Sequence, residues 1–389
     1  MTQSEKNLID AVLASVTDGA FDKCENYDNL VKIAGYHLVQ NLIAEVISES
    51  DDVPDSVLKY LSEMQALLVI KDANQESEVT GLMKLFEQNK IPVVMLKGWL
   101  MKKLYPRTDM RTMADTDIFI RQSDERKIHD IIKSRGYSVV SFGGKKDNVY
   151  HKEPFIILEM HKNLFMFEDS WNVFFNSEES TMCIWNRVKK ISGYDYVYRM
   201  DDELFFVYMI AHIAKHLLDD GGIGLRAILD VWLFMNKTQK LNFDVAFRDL
   251  EKLGLTDFAH NVIKLTKYWF EHKECDNTIQ EFGDYILKCG VYGNSKFLVA
   301  TKEGIMTSDN PSQFKYVLRR AFPTVGEMKV RFPQLNKRIW LLPFLYIKRL
   351  WYSIRHRTDS VKNEIKNAGE VDYAQVKRIH SLYENIGLK

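Results

Sequence analysis

Residues 91–122 read IPVVMLKGWLMKKLYPRTDMRTMADTDIFIRQ: an apolar run, a Lys-Gly pair, a polar loop, and an Asp-Thr-Asp triplet leading into a second apolar run. In a strand, side chains i and i+2 leave the same face, so Asp115 and Asp117, ahead of Ile118, Phe119 and Ile120, stand side by side at the rim of an apolar sheet. Like charges held that close repel each other and are hard to desolvate. A fold that keeps them is expected to supply a cation.

Upstream of this stretch, apolar residues recur at helical spacing (Leu8, Ala11, Val12; Leu30, Ile33, Ala34), and 55–90 reads as one long helix. Downstream, strands and helices alternate. A helix carrying Ile128, Ile131 and Ile132 is stopped by Gly136, and Tyr137 to Phe142 and Val149 to Lys152 flank a Gly-Gly turn as a hairpin. Phe155 to His161 forms a further strand, and short strands at 188–191 and 196–198 close the α/β region near residue 200.

Glu159 lies within the 155–161 strand, sharing one face with Ile157 and His161 while Leu158 and Met160 take the other. If this strand lies beside the Asp115–Asp117 strand, three carboxylates converge, the oxygen-rich site that one or two Mg²⁺ ions and a triphosphate require. A DxD alone is also a common surface turn, and Glu159 could instead pair with a lysine. Gly98, between a strand and a helix, lets backbone amides approach phosphate oxygens, and Lys97 or Arg111 could hold a phosphate as well. Each also reads as a turn glycine or a solvated charge. The order strand-Gly-helix-strand-DxD-helix-strand-Glu is far more specific than any of its parts.

Past residue 200, Asp201-Asp202-Glu203 cap a helix that runs to Leu217-Leu218 and places His212 and His216 four apart, with Asp219, Asp220 and Asp230 downstream. That spacing suits a metal, but the Glu that a zinc protease uses as base is missing, so packing or a hydrogen bond to nucleotide or carboxylate is the expected role.

At 389 residues the chain exceeds what one core normally supports. The expected division is 1–85, 86–200, 201–310 and 311–389. Lys+Arg and Asp+Glu balance at 53 each, so global charge selects no partner. The neutrality hides a basic end, however: Lys315, Arg319, Arg320, Lys337, Arg338, Lys348, Arg349, Arg355 and Arg357 meet almost no acid and are interleaved with aromatic residues. Such an end suits nucleic acid, an anionic sugar or a lipid carrier, or it is simply solvated. The four cysteines show no ligand spacing, which indicates neither a zinc site nor a disulfide framework and fits a reducing cytoplasm. The N-terminus has no apolar signal region. The window 339–347, IWLLPFLYI, is about half the roughly 20 residues of a membrane span, so no transmembrane segment is expected. Burial against the protein's own core is the expected fate of this window, with a helix lying on a membrane surface as the alternative.

The glycine after the first strand, the h-D-h-D-h strand and the later acidic strand resemble the polymerase-β-like nucleotidyltransferases. LKG at 96–98, Leu104-Tyr105-Pro106, Arg111, DTDIFI at 115–120 and LEMHKNL at 158–164 look more closely like the branch described as uncharacterised bacterial nucleotidyltransferases. That resemblance implies an α+β fold, with a small mixed β-sheet core flanked by N-terminal and C-terminal helical regions. It also implies that Asp115, Asp117 and Glu159 are catalytic metal ligands, with Glu159 the base for the acceptor hydroxyl. Lys97, Gly98, Arg111, His161, His212 and His216 are the nucleotide-binding candidates. The implied reaction is Mg²⁺-dependent transfer of an NMP from an NTP to a hydroxyl acceptor on RNA, protein, sugar or a small molecule, with release of pyrophosphate. One departure is that Lys97-Gly98 stands where the superfamily has Gly-Ser. The competing readings are an inactive scaffold that binds an anionic partner through its basic end, and a metal hydrolase built on His212 and His216.

Overall fold

The computed structural model describes residues 1–144, 146–165, 170–291, 293, 321–356 and 373–388. The chain forms two compact units: Met1–His212 with Leu225–Gln280, and Ile213–Gly224 with Glu281–Lys389.

In the first unit, α1 (Gln3–Thr17), α2 (Tyr27–Tyr36) and α3 (Gln40–Ser48) precede the long α4 (Asp55–Gln88). Helix α1 opens on a capping box in which the Thr2 side chain and Glu5 satisfy each other's backbone amides. Next come β1 (Val93–Met95), the short α5 (Lys97–Met101), β2 (Thr116–Ile120), α6 (Glu125–Ser134), β3 (Ser138–Ser141), β4 (Asp147–Lys152) and β5 (Ile156–His161). After α7 (Ser170–Asn176), β6 (Val188–Lys190) and β7 (Val197–Met200) lead into α8 (Asp202–Asp220). Helices α9 (Leu225–Lys237), α10 (Phe243–Lys252) and α11 (Thr256–Phe270) complete the unit, and α12 (Asn277–Cys289) begins in it.

The seven strands make one mixed sheet in the order β3-β4-β5-β2-β1-β7-β6. The expected α+β architecture, a small mixed sheet among helices, is what the chain forms. β2 is central, antiparallel to β1 and parallel to β5, while β1 also pairs in parallel with β7. Alternation sorts the faces. Thr116, Ile118 and Ile120 on β2 and Ile156, Leu158 and Met160 on β5 are all buried. The apolar residues among them pack with Leu82, Met83 and Phe86 of α4 and Ile128 and Ile132 of α6. Glu78 of α4 straps this layer to the hairpin, accepting from Lys152 Nζ (2.7 Å), Arg135 Nη2 (3.2 Å) and the Tyr137 hydroxyl (3.3 Å). On the opposite face Phe119 lies against Trp185 (ring centroids 5.7 Å apart), and Asp117 and Glu159 stand at the end of the same face.

In the second unit Tyr383 of α15 (Tyr373–Asn385) donates to the Leu217 carbonyl (2.7 Å), and its oxygen lies 2.8 Å from the Tyr285 hydroxyl. Between them in sequence are α13 (Val325–Arg331) and α14 (Leu342–His356), which share a small core of Met328, Leu335 and Leu345. The expected burial of 339–347 is not found. Leu345 is buried, but Ile339, Trp340, Phe344 and Ile347 are 52–65 % exposed, because only one side of α14 meets that core. No helix among the described residues is long and apolar enough to cross a membrane. The boundary expected between 310 and 311 and the basic residues Lys315, Arg319, Arg320 and Arg357 lie outside the described residues.

Phe86 is fully buried where α4 meets the sheet. Phe86→Ala is expected to destabilise the first unit by about 3–5 kcal/mol through lost burial and the residual cavity. Urea denaturation followed by circular dichroism measures this; a loss below about 1 kcal/mol would show that α4 does not anchor the sheet.

Candidate functional site

The parallel register of β2 and β5 aligns Asp117 with Glu159 and Phe119 with His161. Adjacent strands run about 4.8 Å apart, so the two carboxylates are direct neighbours, and Asp115 joins them from the residue before the strand. Of the three carboxylates expected to converge, Asp117 and Glu159 share one end of one sheet face, and Asp115 lies close enough for the charges of both to act on it. His161, two residues beyond Glu159 on that face, turns its Nε2–H to Asp117 Oδ1 at 2.7 Å and lies 3.4 Å from Glu159 Oε2. Its Nδ1 is 3.8 Å from Asp147 Oδ2 and makes no hydrogen bond.

The charges set one another's protonation. Burial and the neighbouring charges of Asp117 and Glu159 push the Asp115 carboxyl up to about 6. Burial would also raise Asp117, but the His161 hydrogen bond and charge outweigh it and hold this carboxyl low. Burial would lower His161, yet its bonds to Asp117 and Glu159 push the imidazole up to about 9. The cation that the DxD calls for is, in the protein alone, His161.

The loop into Asp115 is pinned by helices on several sides. From α3, Asn41 Nδ2 donates to the Asp109 carbonyl (2.6 Å). From α4, Asp72 accepts from Thr108 Oγ1 (2.7 Å) and Gln75 Nε2 donates to the Met113 carbonyl (3.2 Å). From α9, Arg226 Nη1 donates to the Thr112 carbonyl (2.8 Å).

Lys97 and Arg111 both point at Asp230 of α9. Arg111 donates twice to its carboxylate (2.9 and 2.8 Å), Lys97 Nζ lies at 3.2 Å, and the Tyr105 hydroxyl donates at 2.9 Å. All four are buried. Burial lowers Lys97 despite Asp230, while Arg111 and Lys97 hold the Asp230 carboxyl far below its usual range against the effect of burial. The two cations expected to meet phosphate are thus organised by a buried carboxylate 119 residues downstream of Arg111, with one net positive charge left over. Gly98 is the second residue of α5, its carbonyl accepts from Arg111 Nη1 (3.2 Å), and a Cβ there would stand 3.0 Å from Met113 Sδ. The missing side chain lets α5 lie against the DxD loop.

His212 sits on α8 against Tyr208, ring centroids 5.6 Å apart. Tyr208, 4 % exposed, lies in the field of all three carboxylates: burial, then Asp117, Asp115 and Glu159, raise its phenol well above its ordinary range. Sequence reasoning passed over this residue, although it stands one helical turn before His212. His216 belongs to the second unit, where its Nδ1–H bonds Asp220. Among the described residues the three metal-type ligands that converge, with donor atoms within 4.8 Å of one another, are Asp117, Glu159 and His161.

Residues 23–271 match the family described as an uncharacterised nucleotidyltransferase, well over half of the chain. The chain belongs to this family. The nucleotidyltransferase resemblance read from the sequence is thereby borne out, and nucleotidyl transfer is its general chemistry. No curated protein matches the chain. Among solved structures it is similar to that of the antibiotic-resistance factor ANT(2'')-Ia, at 10 % identity and a TM-score of 0.35, covering 52 % of this chain and all of that one.

Two measurements test the electrostatics of these two charge clusters. Asp230→Asn leaves Lys97 and Arg111 buried without a counter-charge and is expected to destabilise the fold by about 3–5 kcal/mol in urea denaturation; a change within about 0.5 kcal/mol would show that the cluster is solvated. The second concerns pH. His161 in the protein is raised from its ordinary 6.5 to about 9, so without metal its contribution to stability is complete below pH 6.5 and lost as pH rises through 9. In chelator, Tm is expected to fall across that interval and His161→Ala to flatten the fall; a parallel fall in both proteins would place the titration elsewhere.

Proposed function

We propose that the protein is a Mg²⁺-dependent nucleotidyltransferase that moves an NMP from an NTP to a hydroxyl acceptor and releases pyrophosphate. The observation that carries this reading is the alignment of Asp117 with Glu159 on adjacent parallel strands, with Asp115 near enough that both charges act on it.

The residues fit a divalent cation. Asp115 is pushed up to about 6 by burial and by the charges of Asp117 and Glu159, a cost that a bound cation would relieve. Carboxylate oxygens are the hard donors that Mg²⁺ takes, and Asp115, Asp117 and Glu159 would hold one or two ions. Bound there, Mg²⁺ supplies charge neutralisation for the triphosphate and its leaving group.

The chain's own groups do the rest. Glu159 accepts the proton of the acceptor hydroxyl, whose oxygen attacks the α-phosphorus in line with the departing pyrophosphate. His161 holds Asp117 ionised and oriented. The surplus positive charge of the Lys97, Arg111 and Asp230 cluster favours a polyanion, and Gly98 keeps the adjoining backbone accessible to it. His212, through Tyr208, lines the nucleotide side. Because phosphoryl transfer depends chiefly on positioning and charge, rigid fixation of the DxD loop by helices α3, α4 and α9 is itself part of the catalytic apparatus.

One observation favours a second reading, a binding protein on the same scaffold: Lys97 and Arg111 are both committed to Asp230. Calorimetry with each NTP and Mg²⁺ separates the two, since a scaffold without the activity would show no metal-dependent binding that Asp115→Asn removes. For the enzyme, Asp117→Asn and Glu159→Gln are each expected to lower transfer of an α-phosphate label from NTP into a cell extract by about 100-fold or more while leaving the melting transition cooperative. Full activity in either variant would end the assignment. The extract fraction that takes up label identifies the acceptor.

A further inference from the structure

Helix α14 has two apolar sides. At about 100° per residue, Leu342, Leu345, Tyr346 and Arg349 fall on one side, where Leu345 joins the Met328 and Leu335 core and Arg349 Nη1 donates to the Ala321 carbonyl at 2.9 Å. Phe344, Ile347 and Trp351 fall on the other, within a stripe about 60° wide, and they are 64, 65 and 59 % exposed. Ile339 and Trp340, in the turn just before the helix, extend the stripe at 52 and 65 %. Large apolar side chains contiguous on one face, and not scattered, mark a surface made to be covered.

Charge identifies the cover. From Met328 to His356 there are seven Lys and Arg and no Asp or Glu. Lys337 and Arg338 precede the stripe, Lys348 and Arg355 border it, all four are exposed, and the Arg355 guanidinium lies 5.3 Å from the centre of the Trp351 ring. A second copy of the same face would set cation against cation. A nucleic acid strand would find cations and the rings of Trp340, Phe344 and Trp351, but it would leave Ile339 and Ile347 without apolar cover. An apolar ridge with Trp and a basic margin, on a helix too short to span, is the form that lies in the plane of a bilayer interface.

We propose that the face of α14 formed by Trp340, Phe344, Ile347 and Trp351 docks the protein on an anionic phospholipid membrane, with Lys337, Arg338, Lys348 and Arg355 against the headgroups. Bound in this way, the chain would meet acceptors at the membrane surface. The docking itself is independent of the transfer reaction and is measured without it.

The test is flotation of the full chain with vesicles of phosphatidylcholine alone or mixed with phosphatidylglycerol. Binding to the mixed vesicles is expected to be about tenfold stronger or more, and to weaken as salt shortens the Debye length from about 10 Å at 0.1 M to about 3 Å at 1 M. Phe344→Ser/Ile347→Ser/Trp351→Ser and Lys348→Glu/Arg355→Glu are each expected to abolish flotation with an unchanged Tm, since every altered side chain is exposed. Equal binding to both vesicle types, no binding to either, or undiminished binding by the triple variant overturns the proposal. So does a shift to monomer of a dimeric parent on triple substitution, or retention of a single-stranded RNA oligonucleotide by the parent in place of vesicles.

Discussion

Mutual repulsion among Asp115, Asp117 and Glu159 is the constraint around which the first unit is arranged. At about 5 Å and an effective dielectric near 20, two carboxylates repel by about 3 kcal/mol, and three at the end of one sheet face multiply the pairs. The parallel pairing of β2 with β5 makes the contact unavoidable, because register puts Glu159 beside Asp117 and not one residue away on the opposite face. The fold answers with His161 on the same face and with a rigid approach to Asp115 through the pinned loop at 107–114. A structure that needed only stability would have replaced these carboxylates.

A second electrostatic centre lies behind the first. Asp230 gathers Lys97, Arg111 and Tyr105, so that α9 holds both the first residue of α5 and the loop before β2. Removing solvent from these groups is tolerable only because each charge has a partner within hydrogen-bonding reach. The helical segment after residue 225 is thereby part of the same compact unit as the sheet.

Much of this was legible in the sequence where the signal is local. Alternation across 115–120 and 155–161 gave the strands and the faces of Asp117 and Glu159, the helical spacing of α4 and α6 marked the layer that covers the sheet, and Gly136 at φ +83° ended α6 as its position after the apolar pattern indicated. What could not be read is set by contacts distant in sequence. Lys97 and Arg111 look like free cations until α9 brings Asp230 to them. Tyr208 looks like one more core aromatic until α8 is laid across the carboxylates. The hydrophobicity of 339–347 says that the segment wants cover but not whether its own unit has room to give it on both sides.

The Lys-Gly pair at the start of the chain's deciding stretch gains a different meaning from this arrangement. In the compact superfamily pattern a hydroxyl follows the glycine's position and reaches phosphate directly. Here Gly98 serves first as a gap: any side chain would press on Met113, the residue that Gln75 uses to hold the loop two positions before Asp115. Lys97, turned inward, is paired with Asp230, so in the proposed function it would act on a polyanion through the field and not by contact. Fields of buried, paired groups are less screened by salt than those of surface lysines and need no side chain to be ordered when the ligand arrives. In the proposed function, a grip on the triphosphate built in this way would depend on the integrity of a cluster centred on α9, and the helices after residue 225 would belong to the site as much as the sheet does.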